Sequence, residues 1–93
     1  MLTNDNLIEE RPHDPFIGGV QRLYRFKDGH GLSVVNGKAL HAYFFAWEIA
    51  VIKWNDNKFE LDYTTELTGD VEVFSTDEEA NNFIRRAKEL FDV

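Results

Sequence analysis

The sequence predicts an α+β domain: an antiparallel four-to-five-stranded β-meander packed on one face by a single C-terminal α-helix, in the order β-β-β-β-β-α. Three observations carry this expectation. A helix-start signal at Thr76 opens a run of apolar residues at three-to-four spacing. Phe59 to Thr65 alternates apolar and polar residues beyond a turn-forming Asn55-Asp56-Asn57-Lys58. Asp28-Gly29 separates two further runs of strand character. The chain has 93 residues, too few for two average domains.

Residues 1–19 show neither helical nor strand periodicity. Asn4-Asp5-Asn6, Pro12, Pro15 and Gly18-Gly19 interrupt any pattern. They read as an extended N-terminal arm, loosely ordered or pinned by Phe16 and Ile17, and residues 20–93 read as the single α+β domain. Val20 to Lys27 follows as a strand, with Val20, Tyr24 and Phe26 sharing one parity. Asp28-Gly29-His30-Gly31 reverses the chain, Leu32 to Val35 returns, and Asn36-Gly37 supplies another turn.

Ala42 to Trp54 is the most apolar stretch. Its β-branched and aromatic residues favour a strand, and the hairpin beyond it fixes a register. With Asp56 and Asn57 as the loop, Trp54 opposes Phe59, Ile52 opposes Leu61 and Ala50 opposes Tyr63, while Lys53 meets Glu60 on the other face. Val71 to Phe74 makes a fifth short strand. Thr76 then caps the helix with Glu79 at the third helical position, and Ala80, Phe83, Ile84, Ala87, Leu90 and Phe91 form one apolar stripe.

Composition excludes several function classes. Cysteine is absent, so disulfides, thiolate zinc sites and cysteine nucleophiles are excluded, in keeping with a reducing compartment. The first residues lack the basic start and apolar run of a signal peptide. No apolar stretch is long enough to span a bilayer. The expectation is a cytoplasmic protein with no membrane partner. A formal net charge of -7 opposes direct binding of nucleic acid, which needs Lys and Arg to displace counterions. The acids are concentrated. Asp56 to Glu79 holds nine of them against the lone cation Lys58.

Chemistry-bearing residues are sparse. His13, His30 and His41 stand at separations that match no metal pattern, so no metal site is expected. The glycines of Gly29-His30-Gly31 join strands and do not lead into a helix N-terminus, which a phosphate cradle requires. Ser33 lies mid-strand and Ser75 at the helix start, and neither has an assigned base. No catalytic residue, no cofactor and no enzymatic activity are expected. Tyr43, Phe44, Phe45 and Trp47 suit core packing better than base stacking, although aromatics on both parities of one strand cannot all enter a one-sided core. The strongest functional signal is acidic. Glu60, Asp62 and Glu66 share a parity, followed by Asp70 and Glu72. On one strand face, such residues would repeat every ~6.8 Å, a row able to imitate a nucleic-acid backbone.

Leu23-Tyr24-Arg25-Phe26, Asp28-Gly29-His30-Gly31, Ser33-Val34-Val35, Trp47-Glu48-Ile49-Ala50-Val51 and Thr76-Asp77-Glu78-Glu79 together resemble small accessory proteins encoded by tailed bacteriophages. That family shows Tyr-Arg-Phe, an Asn/Asp-Gly-aromatic-Gly turn, Ser-Val-Val, Trp-Glu-Leu-Ala-Val and a Thr-x-Glu-Glu helix start. The likeness spans residues 20–80 in pieces, and the chain departs from it in the arm and in Lys38 to Phe45. The resemblance implies a phage or prophage accessory gene with no assigned activity, from a class that often inhibits host enzymes or defences.

The sequence therefore supports a non-enzymatic accessory protein acting in the host cytoplasm. Glu60, Asp62, Glu66, Asp70 and Glu72 would engage a basic surface of a host protein that handles nucleic acid or serves in defence. The alternatives are a self-associating structural protein, a homodimer being its simplest form, and a small enzyme.

Overall fold

In a computed structural model, residues 1–13, 18–36 and 47–93 are described. They form β1 (Leu7–Pro12), β2 (Val20–Arg25), β3 (His30–Asn36), β4 (Trp47–Asn55), β5 (Lys58–Leu61), β6 (Glu72–Phe74) and α1 (Asp77–Phe91). The sheet is antiparallel in the order β1-β2-β3-β4-β5, and β6 pairs with β4. The α+β architecture with one helix on one face is as the sequence predicts.

The β4–β5 register follows from the two-residue loop. Ile52 faces Leu61, Lys53 faces Glu60 and Trp54 faces Phe59. Asp56 supplies the positive φ of the turn, at 59°. The expected Ala50–Tyr63 pair does not form. The strand ends at Leu61, and the chain leaves after Asp62 donates its N–H to the Val51 carbonyl, 2.9 Å away. The fifth expected strand is also displaced from a meander. β5 pairs with residues 52–55 of β4, and β6 with residues 47–49 of the same strand. Both lie along one edge of β4, because β3 occupies the other.

The N-terminal segment corrects the expectation further. Residues 7–12 are an edge strand of the sheet, not an arm outside the domain. The pairing is bulged at Ile8 and carries Glu9, Glu10, Arg11 and Pro12 outward, features that discourage another strand from adding to this edge. Leu2 is buried in the main core and Leu7 packs against it, so these two residues hold the segment. Phe16 and Ile17, expected in that role, lie outside the described residues, as do the Gly37 turn position and the aromatics Tyr43, Phe44 and Phe45.

Alternation divides β4 between two apolar layers. Tyr24, Leu32, Val34, Ile49 and Val51 meet Ala80, Phe83, Ile84, Ala87 and Phe91 of α1. The opposite parity builds a second cluster of Leu23, Ile52 and Trp54, with Phe59 packed against it. Each fully buried aliphatic side chain contributes about 1.5–3 kcal/mol. The hairpin's apolar row therefore lies on the face away from the helix. Lys53 and Glu60 share the helix side, beyond the helix end.

The helix is pinned at both ends. At its start, Thr76 accepts the Glu79 N–H at 3.1 Å, and the Trp47 indole donates to Asp77 Oδ1 at 2.7 Å. At its end, the Asp28 N–H donates to the Phe91 carbonyl at 3.1 Å and the Lys27 N–H to Asp92 Oδ1 at 2.8 Å. The first contact at this end satisfies a carbonyl that helix termini leave unpaired. Between them, the Thr3 N–H donates to Asn81 Oδ1. None of the described helices is long and apolar enough to cross a membrane.

Candidate functional site: an acidic groove beside the helix

After Leu61 the chain crosses from β5 to β6 as a loop and forms the outer wall of a groove along α1. Three depressions, of about 410, 350 and 320 Å³, adjoin in series: the first two share Leu67 and Arg86, and the last two share Glu66 and Leu90. The floor is apolar: the rings of Phe74 and Phe83 meet at 5.2 Å, tilted by 45°, and Leu67 and Leu90 stand half-buried beside them. Leu90 closes the helix stripe expected from the sequence, yet it faces this groove and is not fully buried. The rim is acidic: among the described residues, Asp28, Glu66, Glu72, Glu79 and Glu89 stand against the guanidinium of Arg86.

The five acidic residues expected to act together are placed differently from one another. Glu60 is exposed on β5 opposite Lys53. Asp62 is held in the loop: its Oδ1 accepts both the N–H and the hydroxyl of Thr64, at 2.9 and 2.5 Å. Those two bonds, the hydroxyl foremost, hold its carboxyl below the usual range. Glu66 is exposed on the groove rim. Asp70 is exposed and caps the Val71 N–H at 2.7 Å. Glu72 is half-buried in β6 and accepts the Thr68 hydroxyl at 2.9 Å. No strand-spaced row forms, because only Glu60 and Glu72 occupy strands, and different ones. Glu66 and Glu72 line the groove, and Asp62 braces its wall. Glu60 and Asp70 do not line it.

One arrangement could not be read from spacing. His30 begins β3 with its ring stacked on Phe91, centroids 4.3 Å apart. Its Nδ1 is 2.8 Å from Asp28 Oδ2 and its Nε2 is 3.3 Å from Asp62 Oδ2. The side chain is 19% exposed. Asp28 also accepts the His30 N–H, closing the turn. The helix end nearby is a C-terminus, whose carbonyls repel an anion, so these residues form no phosphate cradle; the hairpin turn ends at Gly29, and His30 and Gly31 already belong to β3. The partners of His30 are carboxylates, not a serine hydroxyl. Ser33 is buried and accepts from the Gln21 amide at 2.9 Å. Among the described residues no three His, Cys, Asp or Glu side chains come together as a metal site. Three searches, against family models, curated proteins and solved structures, returned no match to the chain.

Proposed function

We propose that this chain is a non-enzymatic binding module, a phage or prophage accessory protein of the host cytoplasm, whose groove takes a basic segment of a host protein. The observation that carries this reading is the groove itself, an apolar floor of Leu67, Phe74, Phe83 and Leu90 between carboxylates. Such a surface suits a segment that inserts an apolar side chain and flanks it with Lys or Arg. Its rim charge opposes a phosphate backbone. The spacing that would support mimicry of nucleic acid is missing, so recognition of basic residues replaces it as the reading.

The test is the association rate of the captured host protein, or of a Lys/Arg-rich amphipathic peptide, as ionic strength varies. A Glu66→Lys and Glu89→Lys double variant touches the rim without disturbing Asp62, which braces the wall. The variant is expected to associate about tenfold more slowly at low salt and to lose most of the salt dependence. An unchanged rate and salt dependence would overturn the groove reading. A second reading, self-association, rests on Leu61, Tyr63 and Val73, which are 53%, 44% and 46% exposed around β5 and β6. Sedimentation that shows a concentration-dependent dimer, abolished by Leu61→Lys, would favour it.

A further inference from the structure

The imidazole of His30 has two nitrogens, and each faces a carboxylate oxygen. A neutral imidazole carries one N–H and can donate to one of them only. Ionised carboxylates are acceptors only, so neither aspartate can supply the missing proton. Asp62 has little freedom to turn away, because Thr64 holds its Oδ1 by two hydrogen bonds and leaves Oδ2 toward the ring. The set of contacts is complete only for an imidazolium.

We propose that protonation of His30 fastens the loop beginning at Asp62 to the β2–β3 turn and so fixes the outer wall of the groove, strengthening capture of a basic partner. The clasp stands on its own geometry, and its effect on capture rests on the groove reading above.

Every element around the ring contributes to its surroundings. The turn presents Asp28, and the loop presents Asp62 and Glu66. The neighbouring strand brings Lys53, the backbone partner of His30, whose ammonium lies beside Gly29. The helix end brings the neutral ring of Phe91, and beyond it Asp92, which accepts the Lys27 N–H. Because Asp62 is held below the usual carboxylate range by Thr64, it stays an acceptor across the interval in which histidines change charge.

The experiment is amide hydrogen exchange at Asp62 and Thr64 between about pH 5 and pH 8, corrected for intrinsic exchange. It is run on the parent, on His30→Phe and on Asp62→Asn. In the parent, protection is expected to be about threefold to tenfold greater at the acid end, the effect of one added hydrogen bond. His30→Phe keeps a ring against Phe91 and has no N–H, so its profile should be flat. Asp62→Asn keeps an oxygen for Thr64 and turns an amide N–H toward Nε2, which accepts it only when neutral. Its pH dependence should therefore reverse. A flat parent profile, a His30→Phe profile with the parent's slope, or an Asp62→Asn profile of unreversed sense would overturn the clasp. If His30→Phe does not fold, the isosteric Asp62→Asn decides alone.

Peptide binding at the two pH limits separates the two readings. Exchange as expected with no peptide capture at either pH leaves the clasp and removes the groove. Capture of equal strength at both limits removes the control exerted through His30 and leaves the groove.

Discussion

The indole of Trp54 lies on the α-carbon of Gly31, reaching across β3 to donate its N–H to the Tyr24 carbonyl at 2.9 Å. A Cβ at residue 31 would sit 2.5 Å from Trp54 Nε1 and 2.0 Å from the Tyr24 carbonyl oxygen. The second of these is backbone and cannot turn aside. Gly31→Ala is expected to cost about 1–3 kcal/mol or more through overpacking, read as a lower urea midpoint. A midpoint equal to the parent's would show that Trp54 does not occupy this position in solution.

Tyr24 is fully buried, and its hydroxyl donates to the Thr3 carbonyl at 2.7 Å while accepting from Arg22 Nε at 3.1 Å. Tyr24→Phe removes both bonds; the Thr3 carbonyl keeps Arg22 Nη2 as a donor at 3.1 Å, while the Arg22 Nε–H loses its acceptor. The expected loss is about 1–3 kcal/mol. Because the contact holds residues 1–4 against the sheet, limited proteolysis should cut that segment faster than in the parent. An unchanged cleavage rate would mean that Leu2, the Asn81 bonds to Met1 and Thr3 and the Arg22 bonds to Thr3 and Asn4 hold it without the hydroxyl.

Among the described residues, two carboxyls are held below the usual range: Asp62 chiefly by the Thr64 hydroxyl, and Asp77 chiefly by the Trp47 indole. A depressed carboxyl contributes stability above its unfolded value, about 3.9, and loses that contribution as pH falls through the folded value. Stability should therefore decline below about pH 4. Thr64→Val removes the first cause at Asp62 and should make the decline shallower. Denaturation midpoints across the acid range check this, and identical slopes would remove Thr64 as the cause.

Phe83 is 5% exposed, and its ring meets Phe74 at 5.2 Å. Phe83→Ala should cost about 3–5 kcal/mol, with the cavity it leaves adding to the lost burial. Since the same ring floors the groove, Phe83→Leu is the more informative partner variant. It should retain more stability and weaken peptide capture. Capture unaffected by Phe83→Leu would place the apolar anchor elsewhere.

What the sequence disclosed was local. The Trp54–Phe59 register could be read because a two-residue loop and an alternating pattern agree on it. The Thr76 cap could be read because the capping signature and the stripe begin together. β1 escaped notice because an edge strand needs only backbone pairing. Its charged residues and the bulge at Ile8 erase the alternation that marks a half-buried strand. The expectation of one acidic face carries the strand period past Leu61. Thr64, Thr65, Thr68 and Gly69 were the available sign that the strand had ended. The contact between His30 and Asp62 joins residues brought together only by the pairing of β3, β4 and β5, and nothing in the spacing announces it.

The helix-facing layer of Tyr24, Leu32, Val34, Ile49 and Val51 is contributed entirely by strands that precede α1 in the chain. During synthesis those strands leave the ribosome before the element that covers them exists. Until residues 77–91 emerge, the nascent sheet can offer this layer only to itself, to other chains or to chaperones. The interval between the emergence of β4 and that of residues 77–91 therefore sets how long this layer stays uncovered.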